Sequence, residues 1–134
     1  MRFMADDLGR LVLRVMLGGL LLFHGVHKLL HGIDQIGAMV TGHGAPVALS
    51  YGVYVGEVIA PALLIAGLFA RLGGLLVMVN MAVAVLLVHT KQFWTLSSSG
   101  GWTLELQGFY FFTALAVVLL GAGRYSVGRS GWLN

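Results

Sequence analysis

The chain contains no cysteine among its 134 residues. This absence excludes disulfides, thiolate catalysis, cysteine-ligated iron–sulfur clusters and covalently attached c-type haem. Charged residues are also scarce, at 10% of the chain, whereas a typical soluble domain carries about 25%. Because apolar residues make up 58% of the sequence, the chain has too little polar surface for a water-soluble fold, and we expect a lipid bilayer around it.

The basic residues give the chain a net charge of +3, but they are scattered singly and form no cluster or stripe. A nucleic-acid-binding domain concentrates its positive charge on one surface. This distribution therefore argues against nucleic acid as a partner.

Long apolar runs divide the chain into membrane-sized segments. A helix that crosses the hydrocarbon core takes about 20 residues, and four segments qualify, at about residues 8–30, 47–69, 72–89 and 104–122. Since lipid offers no hydrogen-bond partner to an exposed backbone, all four must be helical. The sequence predicts an all-α membrane protein, a single domain over residues 1–134 that forms a four-transmembrane-helix bundle.

The positions of the basic residues predict the orientation of this bundle. One side would hold the N-terminus, the second loop and the C-terminal tail, and the other side would hold Lys28 and Lys91. The first side carries five arginines: Arg2, Arg10, Arg71, Arg124 and Arg129. Five basic residues against two predict that both termini are cytoplasmic.

Small residues form a stripe on the second predicted helix, at Gly52, Gly56 and Ala60. Such stripes let helix backbones approach closely in membranes. The stripe fits packing inside one bundle, and it also fits a homo-oligomer interface.

The first predicted helix carries a polar stripe made of His24, His27, Lys28 and His31. At 100° per residue these four positions fall within an arc of about 100° on one helix face. Arg14 lies near the same arc, closer to the predicted cytoplasmic end. Polar residues are costly in a bilayer, so we expect this face to point into the bundle.

Glu57 lies ten residues into the second predicted helix, about 15 Å deep at 1.5 Å per residue. An isolated carboxylate at that depth favours its neutral form, whereas a nearby cation would keep it charged. His24 and Arg14 are candidate partners. Glu57 then serves either as a structural clamp between helices or as a proton-handling or ligand-binding carboxylate.

His89 ends the third predicted helix and Glu105 begins the fourth. Under the predicted topology both lie at the outer side, level with the polar stripe, so a shared outward-facing pocket is geometrically allowed. Glu105 and Lys91 also fit a simpler role as interfacial residues whose charged ends reach water. Asn80 lies mid-helix on a different face from His89, which predicts an interhelical hydrogen bond.

The histidines leave a metal site as an alternative. His24, His27 and His31 could present imidazoles to one ion, and His89 could add another, but the spacing is of low specificity. A bis-histidine haem between His24 and His89 is a further alternative.

Four motifs, in order along nearly the whole chain, resemble the DoxX family of small bacterial inner-membrane proteins. They are Leu11-Val12-Leu13-Arg14 with Phe23-His24-Gly25-Val26-His27-Lys28-Leu29; Gly56-Glu57 with Gly67-Leu68-Phe69-Ala70-Arg71; His89 with Phe93-Trp94; and Gly121-x-Gly123-Arg124-Tyr125-Ser126-Val127. The sequence departs from the family pattern at Gly128, where an acidic residue is common, and at the extra histidines His27 and His31.

The resemblance implies a four-helix protein of the bacterial inner membrane. The family name comes from a subunit linked to thiosulfate oxidation with quinone as electron acceptor, and other members are associated with redox-stress complexes. The resemblance therefore implies a membrane subunit of a redox system, with quinone as the ligand class and a soluble or membrane redox partner. The candidates for ligand binding or proton handling are Arg14, His24, His27, Lys28, Glu57, His89 and Glu105. It leaves open whether the chain is catalytic by itself.

Two other functions fit the same residues. In a binding or transport module, the polar interior would admit a small metabolite, an anion or a metal ion. In a scaffold that anchors a partner, the intramembrane charges would be purely structural.

Overall fold

The computed structural model describes residues 2–128 and 131–134, with side chains from residue 4 onward. Arg129 and the side chain of Arg2, two of the five arginines used to predict orientation, lie outside the described residues. Within the described part the secondary structure is helical, and extended pairing is confined to an isolated bridge between Leu96 and Trp102. The predicted all-α class is confirmed.

The described residues form five helices. They are α1 (Arg2–His31), α2 (Asp34–Gly42), α3 (Val47–Ala66), α4 (Ala70–Gln92) and α5 (Glu105–Leu120). The four predicted segments correspond to α1, α3, α4 and α5 with shifted ends. The short α2 lies in the first connection, where the apolar pattern predicted no helix.

Length and composition make three of these helices able to cross a membrane, namely α1, α3 and α4. The apolar α5 has 16 residues, which is about 24 Å at 1.5 Å per residue, whereas the hydrocarbon core is about 30 Å thick. Three spans are therefore supported, and the fourth predicted span stays a prediction.

The four longer helices pack in a ring, in which α1 contacts α3, α3 contacts α4, α4 contacts α5 and α5 returns to α1. Their shared core is apolar and includes Leu21, Leu64 and Val117. Large apolar side chains also cover the outside, and Phe23 and Phe109 are more than 70% exposed. An apolar exterior around buried charged groups suits a protein whose solvent is lipid.

Glycines let α1 lie directly on α3. A Cβ atom at Gly18 would lie 2.8 Å from the carbonyl oxygen of Pro61, and one at Gly25 would overlap the carbonyl group of Glu57. On α3 itself, Gly56 lies against Asn80 of α4, while Gly52 has open space around it. The small stripe of α3 thus serves packing within the chain at Gly56.

The buried guanidinium of Arg14 ties the C-terminal end of α3 to the tail of the chain. It is 1% exposed and donates to the carbonyl oxygens of Leu64 at 2.9 Å, Ile65 at 2.8 Å and Ala122 at 3.1 Å, and to that of Tyr125. Helix ends carry carbonyls with no partner inside the helix. Arg14 supplies donors to these carbonyls where water is excluded.

The C-terminal tail continues this capping. The backbone N–H groups of Val127 and Gly128 donate to the carbonyls of Ala66 at 3.0 Å and Gly67 at 3.1 Å. The backbone N–H of Arg124 donates to the buried carboxylate of Asp7 at 3.2 Å. The start of α1, the α3–α4 turn and the tail therefore meet at one end of the molecule, which we call the arginine end after Arg10, Arg71 and Arg124.

We expect Arg14→Gln to lower the free energy of unfolding by about 3 kcal/mol or more, because several buried carbonyls lose their donor. Thermal unfolding in detergent, followed by circular dichroism, measures this loss. Arg10→Gln, one turn away and partly exposed, is the control and should stay near the wild-type midpoint. Equal unfolding midpoints for the two variants would mean that the hydrogen bonds of Arg14 do not stabilise the end of α3.

We expect Gly25→Ala to destabilise the protein by about 1–3 kcal/mol, the usual cost of overpacking, because the new methyl group has no room against Glu57. Gly19→Ala is the matched control on the same helix, since nothing lies within 4 Å of a Cβ at Gly19. The same unfolding measurement compares them. If both variants unfold at the same temperature, α1 does not pack closely against α3 at Gly25.

Candidate functional site

Each of the four longer helices contributes one polar side chain to a common layer, which we call the polar layer: Lys28 of α1, Glu57 of α3, Asn80 of α4 and Tyr110 of α5. Glu57 is 7% exposed. Its Oε2 forms an ion pair with the ammonium group of Lys28, and its Oε1 accepts a hydrogen bond from Nδ2 of Asn80 at 3.4 Å. The interhelical hydrogen bond predicted for Asn80 is confirmed.

Lys28, and neither His24 nor Arg14, is the cationic partner of Glu57. The partners proposed from the sequence were wrong because Arg14 is fully engaged at the arginine end, 14 residues or about 21 Å away along α1. Removing a carboxylate from water costs several kcal/mol, and a nearby cation offsets that cost. The pair thus places a cation at the edge of a largely apolar core, in contact with the buried carboxylate.

A π-helical turn presents Glu57 to the bundle interior. Residues Val55–Ile59 form this wider turn, and Pro61 follows it in the next turn. Because proline has no N–H, Pro61 cannot donate to the carbonyl of Glu57, and that carbonyl lies against Gly25 of α1. Single π-turns are frequent at functional sites. Pro61 is the residue from which the π-turn around Glu57 could have been predicted in the sequence.

Lys28 lies at the edge of the layer, and its side chain is 22% exposed. Its backbone carbonyl accepts a hydrogen bond from the hydroxyl of Tyr54 at 3.3 Å, so a second residue of α3 holds this part of α1 in place. The ammonium group therefore touches the buried carboxylate and is still open to the surroundings of the bundle.

Tyr110 joins the layer from α5 and was not predicted. It is 9% exposed and interacts electrostatically with Glu57. His24 meets Tyr110 edge-on, with ring centroids 6.1 Å apart and an interplanar angle of 87°. Tyr110 stands in an apolar aromatic run whose spacing singles out no member, so the sequence held no signal for it.

The other predicted residues lie apart from this layer. The expectation that the polar stripe points into the bundle is wrong for His27 and His31, which are exposed and stack on each other with centroids 4.2 Å apart. They lie in the last turns of α1, where polar ends can reach water. His89 lies on a second π-helical turn, Val85–His89, and its ring nitrogens contact Gln92 at 2.7 Å and Gln107 at 3.3 Å.

Glu105 is exposed at the start of α5, and its carboxylate lies beside Gly101. In the described part of the chain, no hydrogen bond or ion pair connects Glu105 or His89 to Glu57 or Lys28. The outward-facing pocket that the sequence allowed is therefore not assembled by polar contacts between these groups.

The histidines do not converge on one point. Among residues 4–128 and 131–134, no group of three or more histidine and carboxylate side chains is placed to hold a metal ion. Of the metal candidates from the sequence, His27 and His31 are neighbours, while His24 contacts Tyr110 and His89 contacts two glutamines.

The family model named DoxX matches residues 9–90, which include α2, α3 and most of α1 and α4. These residues contain Arg14, two of its four carbonyl partners, and three of the four members of the polar layer. No curated protein and no solved structure matches the chain.

A double-mutant cycle tests the ion pair. We expect Lys28→Met and Glu57→Leu to destabilise the protein singly, each by about 2–4 kcal/mol, because each leaves an uncompensated charge that is buried or half-buried. The double variant should recover much of that loss, because both charges are then gone. Thermal unfolding of the four proteins gives the coupling energy. Additive losses, with a coupling energy near zero, would mean that the two side chains do not interact.

Proposed function

The chain belongs to the DoxX family, and from that premise we propose that it is the membrane subunit of a quinone-linked redox system. His24, Lys28 and Glu57 form its ligand-binding and proton-handling site. The chain is a multi-pass membrane protein. In the proposed function, the ligand is a quinone and the polar layer binds it and supplies protons.

A gradient of exposure across the polar layer carries the proposal. His24 is exposed, the Lys28 side chain is 22% exposed, and Glu57 is buried behind them. Lys28 and Glu57 lead from the edge of the layer to its interior, while His24 lies one turn before Lys28 on α1 and meets Tyr110 edge-on. A membrane-embedded ionisable group of this kind marks a ligand or proton pathway by default.

The donor set fits a quinone headgroup. The carbonyl oxygens of a quinone accept hydrogen bonds, and the imidazole of His24 and the ammonium of Lys28 are donors at the outer surface of the layer. Exposed apolar side chains of α1, such as Leu20 and Phe23, surround this edge and suit a hydrophobic ligand that arrives through the bilayer.

A bound quinone would supply the redox chemistry by accepting two electrons and two protons. The residues of this chain supply binding and protons. His24 and Lys28 can each donate a hydrogen bond and release a proton at the surface. The carboxylate of Glu57 then favours the uptake of a new proton by Lys28 from the surroundings of the exposed edge. Since the chain has no cysteine for a covalent redox centre, the electrons would come from a soluble or membrane partner.

The proposed setting is the bacterial inner membrane, with α5 as a fourth span and both termini cytoplasmic. The grouping of Arg10, Arg71 and Arg124 at one end supports this orientation, because basic residues favour the cytoplasmic side. The packing of α5 along α4 and α1 also supports a fourth span.

A structural role for the polar layer is the second candidate. It is favoured because both carboxylate oxygens of Glu57 already have a partner in the protein. Lys28 contacts Oε2, and Asn80 donates a hydrogen bond to Oε1. Under this reading the chain is a scaffold, and exchange of the exposed His24 would change nothing.

Quinone retention separates the two candidates. We expect the protein purified in mild detergent with native lipids to retain quinone at near one per chain, as measured by mass spectrometry of the organic extract. His24→Gln and Glu57→Gln should each reduce retention by about tenfold, the effect of losing one charge-assisted contact.

His43→Gln is the control, because His43 is an exposed imidazole at the end of α2, bonded to Met39 and distant in sequence from the polar layer. Since His24 is exposed, the His24→Gln variant should fold even if Glu57→Gln does not. Wild-type protein that carries no quinone, or retention that is unchanged in His24→Gln, would overturn the quinone proposal and favour the scaffold.

A further inference from the structure

We propose that the cavity at the arginine end is a binding site for a phosphate-bearing anion. The cavity has a volume of about 470 Å³. The side chains and backbone that define it include Asp7, Arg10, Arg71, Gly123, Arg124 and Ser126. It is far from the polar layer, and the inference is independent of the proposed function.

The charges around the cavity favour an anion. Among the described residues that line it, three side chains carry a guanidinium group and one carries a carboxylate. The carboxylate of Asp7 is buried and already accepts the backbone N–H of Arg124. Arg71 is held in place by the carbonyl of Asn134 at 3.3 Å. The planar fork of an arginine matches the oxygens of a phosphate group, often through two parallel hydrogen bonds.

Glycines keep the cavity open beside the arginines. Gly121 and Gly123 both have a φ of 74°, a left-handed backbone that other residues rarely adopt. A Cβ at Gly123 would lie 3.1 Å from Cδ of Arg10, and one at Gly121 would lie 3.4 Å from Nε of Arg71. Larger residues would therefore press on the guanidinium-bearing side chains and fill the space in front of them.

The cavity lies at the depth of lipid headgroups. Arg10, eight residues after the start of α1, and His31, at its end, are 21 residues or about 32 Å apart along the helix axis, close to the hydrocarbon thickness of about 30 Å. Leu120 also lines the cavity, and the exposed Leu119 continues the apolar surface of α5. Basic pockets at the cytoplasmic ends of membrane helices bind anionic headgroups. A phospholipid phosphate and a free phosphate ion share the same recognition chemistry.

Native mass spectrometry of the detergent-solubilised protein tests the site. The probes are phosphatidylglycerol, phosphatidylcholine and inorganic phosphate, each added at known concentration. We expect phosphatidylglycerol to bind more tightly than phosphatidylcholine. Arg10→Gln with Arg124→Gln should weaken that binding by about twenty-fivefold, since one basic residue near an anionic headgroup contributes about fivefold.

Lys91→Gln is the control, because it removes the same charge from an exposed position at the end of α4, on the other side of the molecule, and should leave binding unchanged. Arg124→Gln alone is the second variant if the double variant folds poorly, because the Arg124 side chain is exposed. It should weaken binding by about fivefold.

Competition between phosphatidylglycerol and inorganic phosphate identifies the source of the phosphate group. If millimolar inorganic phosphate does not displace phosphatidylglycerol, the site binds a lipid headgroup. If inorganic phosphate does displace it, the site binds a soluble phosphate. Both results support a phosphate site. Equal binding of phosphatidylglycerol to wild type, the arginine variants and Lys91→Gln would overturn the proposal.

Discussion

In hydrocarbon, every polar group must find its partner inside the protein, and this constraint governs most of what is distinctive in the fold. At the arginine end, Arg14 and the C-terminal tail supply partners to the backbone where α3 ends. In the polar layer, Lys28 and Asn80 do the same for the carboxylate of Glu57. Charged side chains are thus used where a soluble protein would rely on water.

Close backbone contacts make these polar contacts possible. Gly25 brings α1 against the carbonyl of Glu57, and Gly56 brings Asn80 against α3. The π-turn around Glu57 and the missing N–H of Pro61 both alter the backbone at this point. The polar layer therefore depends on the helix packing around it, and the packing leaves Lys28 half open at the edge.

The two polar features of α1 lie about 21 Å apart along the helix axis, from Arg14 to Lys28. Apolar core residues such as Leu17 and Leu21 fill the interval. A protein with charged groups at both ends of an apolar core can bind a hydrophobic ligand at one level and an anionic group at the other. These two proposed sites share no residue, so each can be lost without the other.

The amino-acid sequence was enough to predict the helical class, the approximate positions of α1, α3, α4 and α5, and the interhelical hydrogen bond of Asn80. These follow from long apolar runs and from the cost of placing a polar residue in lipid. Family membership was also readable from the order of the motifs, and the match over residues 9–90 confirms it.

The packing of the helices was needed to show that Lys28 pairs with Glu57, that Arg14 caps α3 instead, and that Tyr110 joins the layer. Periodicity places residues on a face of their own helix, but it says nothing about the rotation and axial offset of one helix against another. The rotation and offset of α1 against α3 depend on the glycine contacts and on the π-turn around Glu57. A shift of α1 by one helical turn would place His24 instead of Lys28 beside Glu57.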